Sequence, residues 1–108
     1  MTDSQRKLIE EAFENRAGLS PTSAPAEIRA AVDGAIGLLD SGKARVAEPT
    51  DEGWRVNEWL KTAVLLSFRL NPNVPMDGGG ARYYDKVPLK YADYDDARFA
   101  ADGARIVP

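Results

Sequence analysis

"NEWLKTAVLLSFRL", residues 57–70, decides how the chain folds. Trp59, Leu60, Ala63, Val64, Leu65, Leu66, Phe68 and Leu70 fall at helical spacing and leave only Glu58, Lys61, Thr62, Ser67 and Arg69 for water. A helix apolar around most of its circumference must be covered on more than one side, so it is predicted to be the central element. Asn57 precedes it, and its side-chain oxygen is expected to cap the first free amides.

Two partners for that helix lie upstream. In SQRKLIEEAFENR, residues 4–16, the apolar positions Leu8, Ile9, Ala12, Phe13 and, just beyond, Ala17 recur at helical spacing with charges opposite, and Thr2 or Ser4 offers the cap. The segment AGLSPTSAP breaks this pattern with two prolines. A second helix is predicted over about residues 26–40, where Ile28, Val32, Ala35, Ile36 and Leu39 form one stripe. Pro25 suits its first turn, Glu27 suits the positive end of its dipole, and Ser41 with Gly42 stops it. Residues 45–48 and 54–56 are strand-like and flank PTDEG, a set of turn residues, which predicts a β-hairpin.

Downstream of residue 70 the periodicity fades. NPNVPMDGGGARYYDKVPLKY carries three prolines and three consecutive glycines, so residues 71–108 are expected to form an irregular arm. It holds one short helix within DYDDARFAADG, capped by Asp93 or Asp95 and ended by Gly103. The predicted fold class is α+β, mostly α, with residues 1–108 as a single domain.

Composition narrows the function. The chain has 108 residues, 44% of them hydrophobic and 29% charged, which suits one folded domain with a single modest core. Fourteen basic against seventeen acidic residues give a net charge of −3, and the cations are scattered. Nucleic acid, which rewards clustered cations, is therefore not an expected partner. No stretch reaches membrane-spanning length and MTDSQRKLIEE has no long apolar run, so no membrane association is expected and a cytoplasmic location is the default. Cysteine is absent, which removes disulfides and thiol chemistry. Histidine is also absent, and with it the commonest general base and metal ligand.

Four features invite a chemical reading. Gly78, Gly79 and Gly80 invite a phosphate-loop reading, but the sequence continues ARYYDK where such a loop needs Gly-Lys-Ser/Thr opening a helix, so they are read as a loop tip. Asp93, Asp95 and Asp96 lack the alternating calcium-loop pattern and suit a helix N-terminus, so no metal site is assigned. Tyr83, Tyr84, Tyr91 and Tyr94, with Lys86 and Lys90 nearby, resemble a stacking platform without its net positive charge; packing is the expected role, as it is for Trp54 and Trp59. Arg105 sits between a helix stop and Ile106, Val107 and Pro108, where its planar fork could meet a carboxylate, although composition alone reads it as a surface charge.

The blocks IEEAFENRAGLSP, LLDSGKARVAEP, WRVNEWLKTAVLLSFRL, RYYDKVPLKYADYDDARF and GARIVP, in this order, resemble the N-terminal region of the bacterial tetrahydrodipicolinate N-succinyltransferases over about residues 8–108. The resemblance implies a helical N-terminal domain ahead of a left-handed parallel β-helix of hexapeptide repeats, assembled as a homotrimer. It implies transfer of succinyl from succinyl-CoA to the amino group of tetrahydrodipicolinate, in diaminopimelate and lysine biosynthesis. No metal or redox cofactor is implied; succinyl-CoA is a co-substrate bound mainly outside this region. The arginine of the family's G-x-R-[IV]-V-P stretch binds the acceptor, and the matching residue is Arg105. No residue of 1–108 matches the family's catalytic acid, its substrate-binding aspartate or its CoA surface. The chain is therefore expected to be an N-terminal domain, inactive in isolation. The alternative expectation is a stand-alone helical interaction module that binds a protein partner through residues 57–70.

Overall fold

The computed structural model describes residues 2–108. Helix α1 spans Asp3–Glu14, and of its two candidate caps Thr2 is the one used. Its hydroxyl accepts from the Gln5 amide at 3.3 Å while the Gln5 side chain accepts from the Thr2 amide at 3.0 Å, a reciprocal capping box. Thr2→Ala should lower unfolding free energy by about 1 kcal/mol, and Thr2→Ser should restore most of it. Chemical denaturation of the three proteins checks this.

A short 3₁₀ turn, Arg16–Gly18, follows and leads to helix α2 at Ala26–Asp40. Pro25 lies one position earlier than expected: it is the N-cap, in extended conformation, and supplies no side-chain cap. The central helix α3 spans Glu58–Leu70, as the sequence predicts. Asn57 precedes it but does not cap it with its side chain. Instead its Nδ2 donates to the Arg45 carbonyl at 2.7 Å and its amide to the Val46 carbonyl at 2.7 Å, tying the helix start to the preceding hairpin.

The three helices pack around a core of Ile9, Ala12, Ala31, Val32, Ala35, Leu60, Ala63, Leu66 and Leu70. Among the described residues every buried one is apolar. On α3 the buried positions run Leu60, Ala63, Leu66, Leu70, one stripe at three- and four-residue spacing that α1 and α2 cover from two sides. Each fully buried leucine or isoleucine contributes roughly 1.5–3 kcal/mol by leaving water. The rest of the apolar circumference of α3 stays partly wet: Leu65 and Phe68 are about two-fifths exposed.

The first hairpin pairs β1, Ala47–Thr50, with β2, Gly53–Val56, about a two-residue turn at Asp51 and Glu52. The first strand runs two residues later than predicted and takes in Pro49. In a two-stranded ribbon alternate residues point their amides outward, so a proline there forfeits no ladder bond. Of the two tryptophans, expected to anchor the core or an interface, Trp54 is 73% exposed and lies outside the core, whereas Trp59 is half-buried against it, with the Arg6 guanidinium 5.7 Å from its ring centre.

The larger correction concerns the arm. Residues 71–108 are not wholly irregular: β3, Val74–Gly78, pairs antiparallel with β4, Ala81–Asp85, so the fold holds two separate two-stranded sheets. The glycine run is the turn of this second hairpin, with Gly79 at φ 72°, a left-handed conformation that a side chain would strain. Helix α4, Asp96–Asp102, follows, capped by Asp95 and ended by Gly103 at φ 69°. No residue of β3, β4 or α4 is buried. The radius of gyration is 16.4 Å, against about 13 Å for a compact chain of this length. The arm therefore extends the molecule into a slab of 42 × 41 × 19 Å. No helix among the described residues is long and apolar enough to cross a membrane.

Candidate functional site

Arg105 is positioned by the short helix before it. The Asp95 carboxylate accepts from the Arg98 amide at 2.9 Å and starts α4. Tyr91, Tyr94 and Phe99 stack around it with ring centres 4.8–5.9 Å apart, and the Arg98 guanidinium lies 4.0 Å over the Tyr94 ring. The Tyr94 phenol is pushed above its ordinary pKa, chiefly by the Asp102 carboxylate. The Gly103 amide donates to the Phe99 carbonyl at 3.0 Å and closes the helix. The backbone then turns extended, and residues 105–108 are exposed. Among the described residues Arg105 makes no ion pair and no hydrogen bond, so its five donors face solvent.

The other sequence candidates are dispersed. Gly78, Gly79 and Gly80 form a hairpin turn and open no helix. Asp95 is committed to capping and Asp96 to the first helical turn. Among the described residues no three acidic side chains converge as metal ligands would. The tyrosines do not share a platform: Tyr83 and Tyr84 are neighbours on β4, mostly exposed, and Tyr91 and Tyr94 belong to the local cluster around Phe99.

Lys86 and Lys90 have roles that the sequence did not disclose. Lys86 Nζ donates to the Phe68 carbonyl at 3.0 Å, in the last turn of α3. Lys90 Nζ pairs with Asp40 Oδ1 at 2.6 Å and reaches the Asp40 carbonyl at 3.4 Å, at the end of α2. Donation to the Asp40 carboxylate holds the Lys90 ammonium above its usual pKa. Arg29 Nη2 similarly donates to the carbonyls of Leu70, at 2.8 Å, and Pro21, at 3.1 Å; Arg69 Nη1 donates to the Arg16 carbonyl at 3.0 Å. Three of these carbonyls, those of Asp40, Phe68 and Leu70, belong to the C-terminal turns of α2 and α3, where intrahelical donors run out. Apart from Pro21, eight residues from Arg29, the partners lie 18 to 53 residues away, beyond any local spacing rule.

On the first hairpin, Arg55 is paired with Glu48, directly opposite in register. Its hydrogen bond holds the Glu48 carboxyl below the ordinary value. The folded pKa thus lies below the unfolded one, so this contribution is in place above the ordinary carboxylate range and is lost as pH falls through the lowered value.

A groove of 350 Å³ lies between α2, α3 and the arm, lined by Ile36, Val64, Phe68, Val87 and Pro88 with Asp33, Ser67, Asn71 and Lys86 at its polar positions. Arg105 does not line it.

Comparison with known proteins gives these features a context. The family model described as tetrahydrodipicolinate N-succinyltransferase N-terminal matches residues 4–70, which hold α1, α2, the first hairpin and α3. A curated protein of Histophilus somni (strain 2336), named 2,3,4,5-tetrahydropyridine-2,6-dicarboxylate N-succinyltransferase, is 60% identical over 104 residues that cover 95% of this chain and 38% of its own length. Proteins of the same name from Alkalilimnicola ehrlichii, 57% identical over 95% of this chain, and Ralstonia pickettii, 56% identical over all of it, are similarly related. They are covered over 38% and 40% of their own lengths, so the chain spans about two fifths of the relatives it matches.

Proposed function

The chain belongs to the tetrahydrodipicolinate N-succinyltransferase family, whose N-terminal model it matches, and on that premise we propose that it serves as the acceptor-side domain of an N-succinyltransferase. The observation that carries this reading is sequence identity of 56–60% with proteins of that name over nearly the whole chain, arm included. The whole protein would move a succinyl group from succinyl-CoA to the amine of tetrahydrodipicolinate in its open-chain form, a step toward diaminopimelate and lysine. The amine nitrogen attacks the thioester carbonyl, an N–C bond forms, the C–S bond breaks, and CoA departs as the thiol after taking the proton the amine sheds.

Within residues 1–108 the role falls to Arg105. Its exposed, uncommitted fork suits one carboxylate of a dicarboxylate acceptor, which it can meet through two parallel charge-assisted bonds. The catalytic acid, the CoA surface and a left-handed β-helix belong to the downstream part of the protein in this reading, with three subunits assembling in the cytoplasm. A free-standing interaction module has no observation of its own: exposed Leu65 and Phe68 suit equally a domain seated against further protein.

The test is a chimera that joins residues 1–108 to the downstream portion of the Histophilus somni relative. It should release CoA from succinyl-CoA only when tetrahydrodipicolinate is present, with the succinylated amine found by mass spectrometry. A folded, assembled chimera without acceptor-dependent CoA release would overturn the assignment. Residues 1–108 alone, purified from a host lacking its own enzyme, should show no transfer above the uncatalysed rate, and measurable turnover there would contradict the division of labour.

A further inference from the structure

The arm needs an anchor, because a guanidinium can select a carboxylate only if it is held in place. β3, β4 and α4 contribute nothing to the buried core, and the close packing between elements is confined to each hairpin and to the three long helices. What crosses between arm and core is the strap KVPLK, residues 86–90, which is neither helix nor strand. Its two lysines reach the last turns of two different helices: Lys86 the Phe68 carbonyl of α3, and Lys90 both the side chain and the carbonyl of Asp40 at the end of α2. Between them Val87 and Pro88 close one wall of the groove against Ile36, Val64 and Phe68. The negative ends of two helix dipoles thus face two cations four residues apart in sequence, with an apolar contact in the middle.

We propose that Lys86 and Lys90 are positioning residues, a two-point electrostatic latch that sets where the arm, and with it Arg105, lies relative to the helical core. The part of this proposal that concerns the acceptor rests on the reading of Arg105 given above; the latch itself does not. Each contact is exposed, so each is weak and screened by salt. The latch is therefore adjustable, and it would loosen before the core does.

The chain has no cysteine, so labels can be placed without background. Spin labels at Lys61→Cys on α3 and Ala101→Cys on α4, both exposed positions, should give one narrow distance distribution in low salt. Lys86→Ala with Lys90→Ala should broaden or shift it while the helical circular dichroism stays unchanged, and Lys86→Arg with Lys90→Arg should return it. Asp40→Asn should produce a partial effect, and raised salt should mimic the double variant. An identical distribution in parent and double variant would overturn the latch. In the chimera, Lys90→Ala should raise the acceptor KM about two- to fivefold, the range of an exposed ion pair, with kcat and the succinyl-CoA KM unchanged. A broadened distribution with an unmoved acceptor KM would keep the latch and remove Arg105 from the acceptor site, and so separates the two readings.

Discussion

Leu66→Ala should lower the unfolding free energy by about 3–5 kcal/mol, the range of a leucine truncated in a fully buried site. Leu66 has no exposed surface and sits mid-helix on α3, where α1 and α2 both cover it. Truncation removes the transfer energy of the side chain and leaves a cavity between helices that cannot close without shifting all three. A domain of this size has roughly 5–15 kcal/mol in total, so the variant should be marginal at room temperature. Leu65→Ala is the control: one residue away and 41% exposed, it should cost under about 1 kcal/mol. Urea denaturation followed by far-ultraviolet circular dichroism measures both. Equal losses at 65 and 66 would mean that α3 faces the core differently from the structure.

Arg105→Ala is the corresponding experiment on function. In the chimera it should lower kcat/KM for tetrahydrodipicolinate by about 2–5 kcal/mol, roughly 30-fold or more, because the acceptor carboxylate would be left desolvated and unpaired. The loss should fall on the acceptor and leave the KM for succinyl-CoA in place. Arg105→Lys keeps the charge but loses the planar fork, so it should recover only part of the activity. Since Arg105 holds nothing together among the described residues, its removal should not change the thermal midpoint. Unaltered acceptor kinetics in a folded, assembled variant would remove Arg105 from the site.

The helical half of the fold was legible because its signal is periodic and local. Leu60, Ala63, Leu66 and Leu70 mark their own buried stripe, and Thr2, Asp95 and Gly103 mark helix ends by chemistry that acts within three or four residues. The second hairpin was hidden because Pro75 and three glycines are strand-breaking signals, and only pairing with Ala81–Asp85 shows that one serves as an edge residue and the others as a turn. Asn57 misled for a related reason: its side chain had a choice of partners, and the carbonyl of Arg45, twelve residues back, won over the nearby amides. The lysines of the strap had no local signature at all. Arg105 was noticed for its place after a helix stop, but only resemblance to a family gave it a ligand; composition read it as a surface charge, which is also how it stands in the fold.

The arm's private aromatic cluster has a consequence for how the molecule comes apart. Both tryptophans, Trp54 and Trp59, lie in the helical half, and all four tyrosines lie beyond residue 82. Tyr91, Tyr94 and Phe99 lean on one another and not on Leu66 or Val32, so their packing is a separate account from the core's. The chain thus carries its own two-colour reporter: Trp59, packed on the helical core, follows the three helices, and tyrosine signals follow the arm. A unit with no buried residue opens at lower free energy than one with nine. The tyrosine signal should therefore change first on heating, and a single melting temperature would describe only one of the two parts.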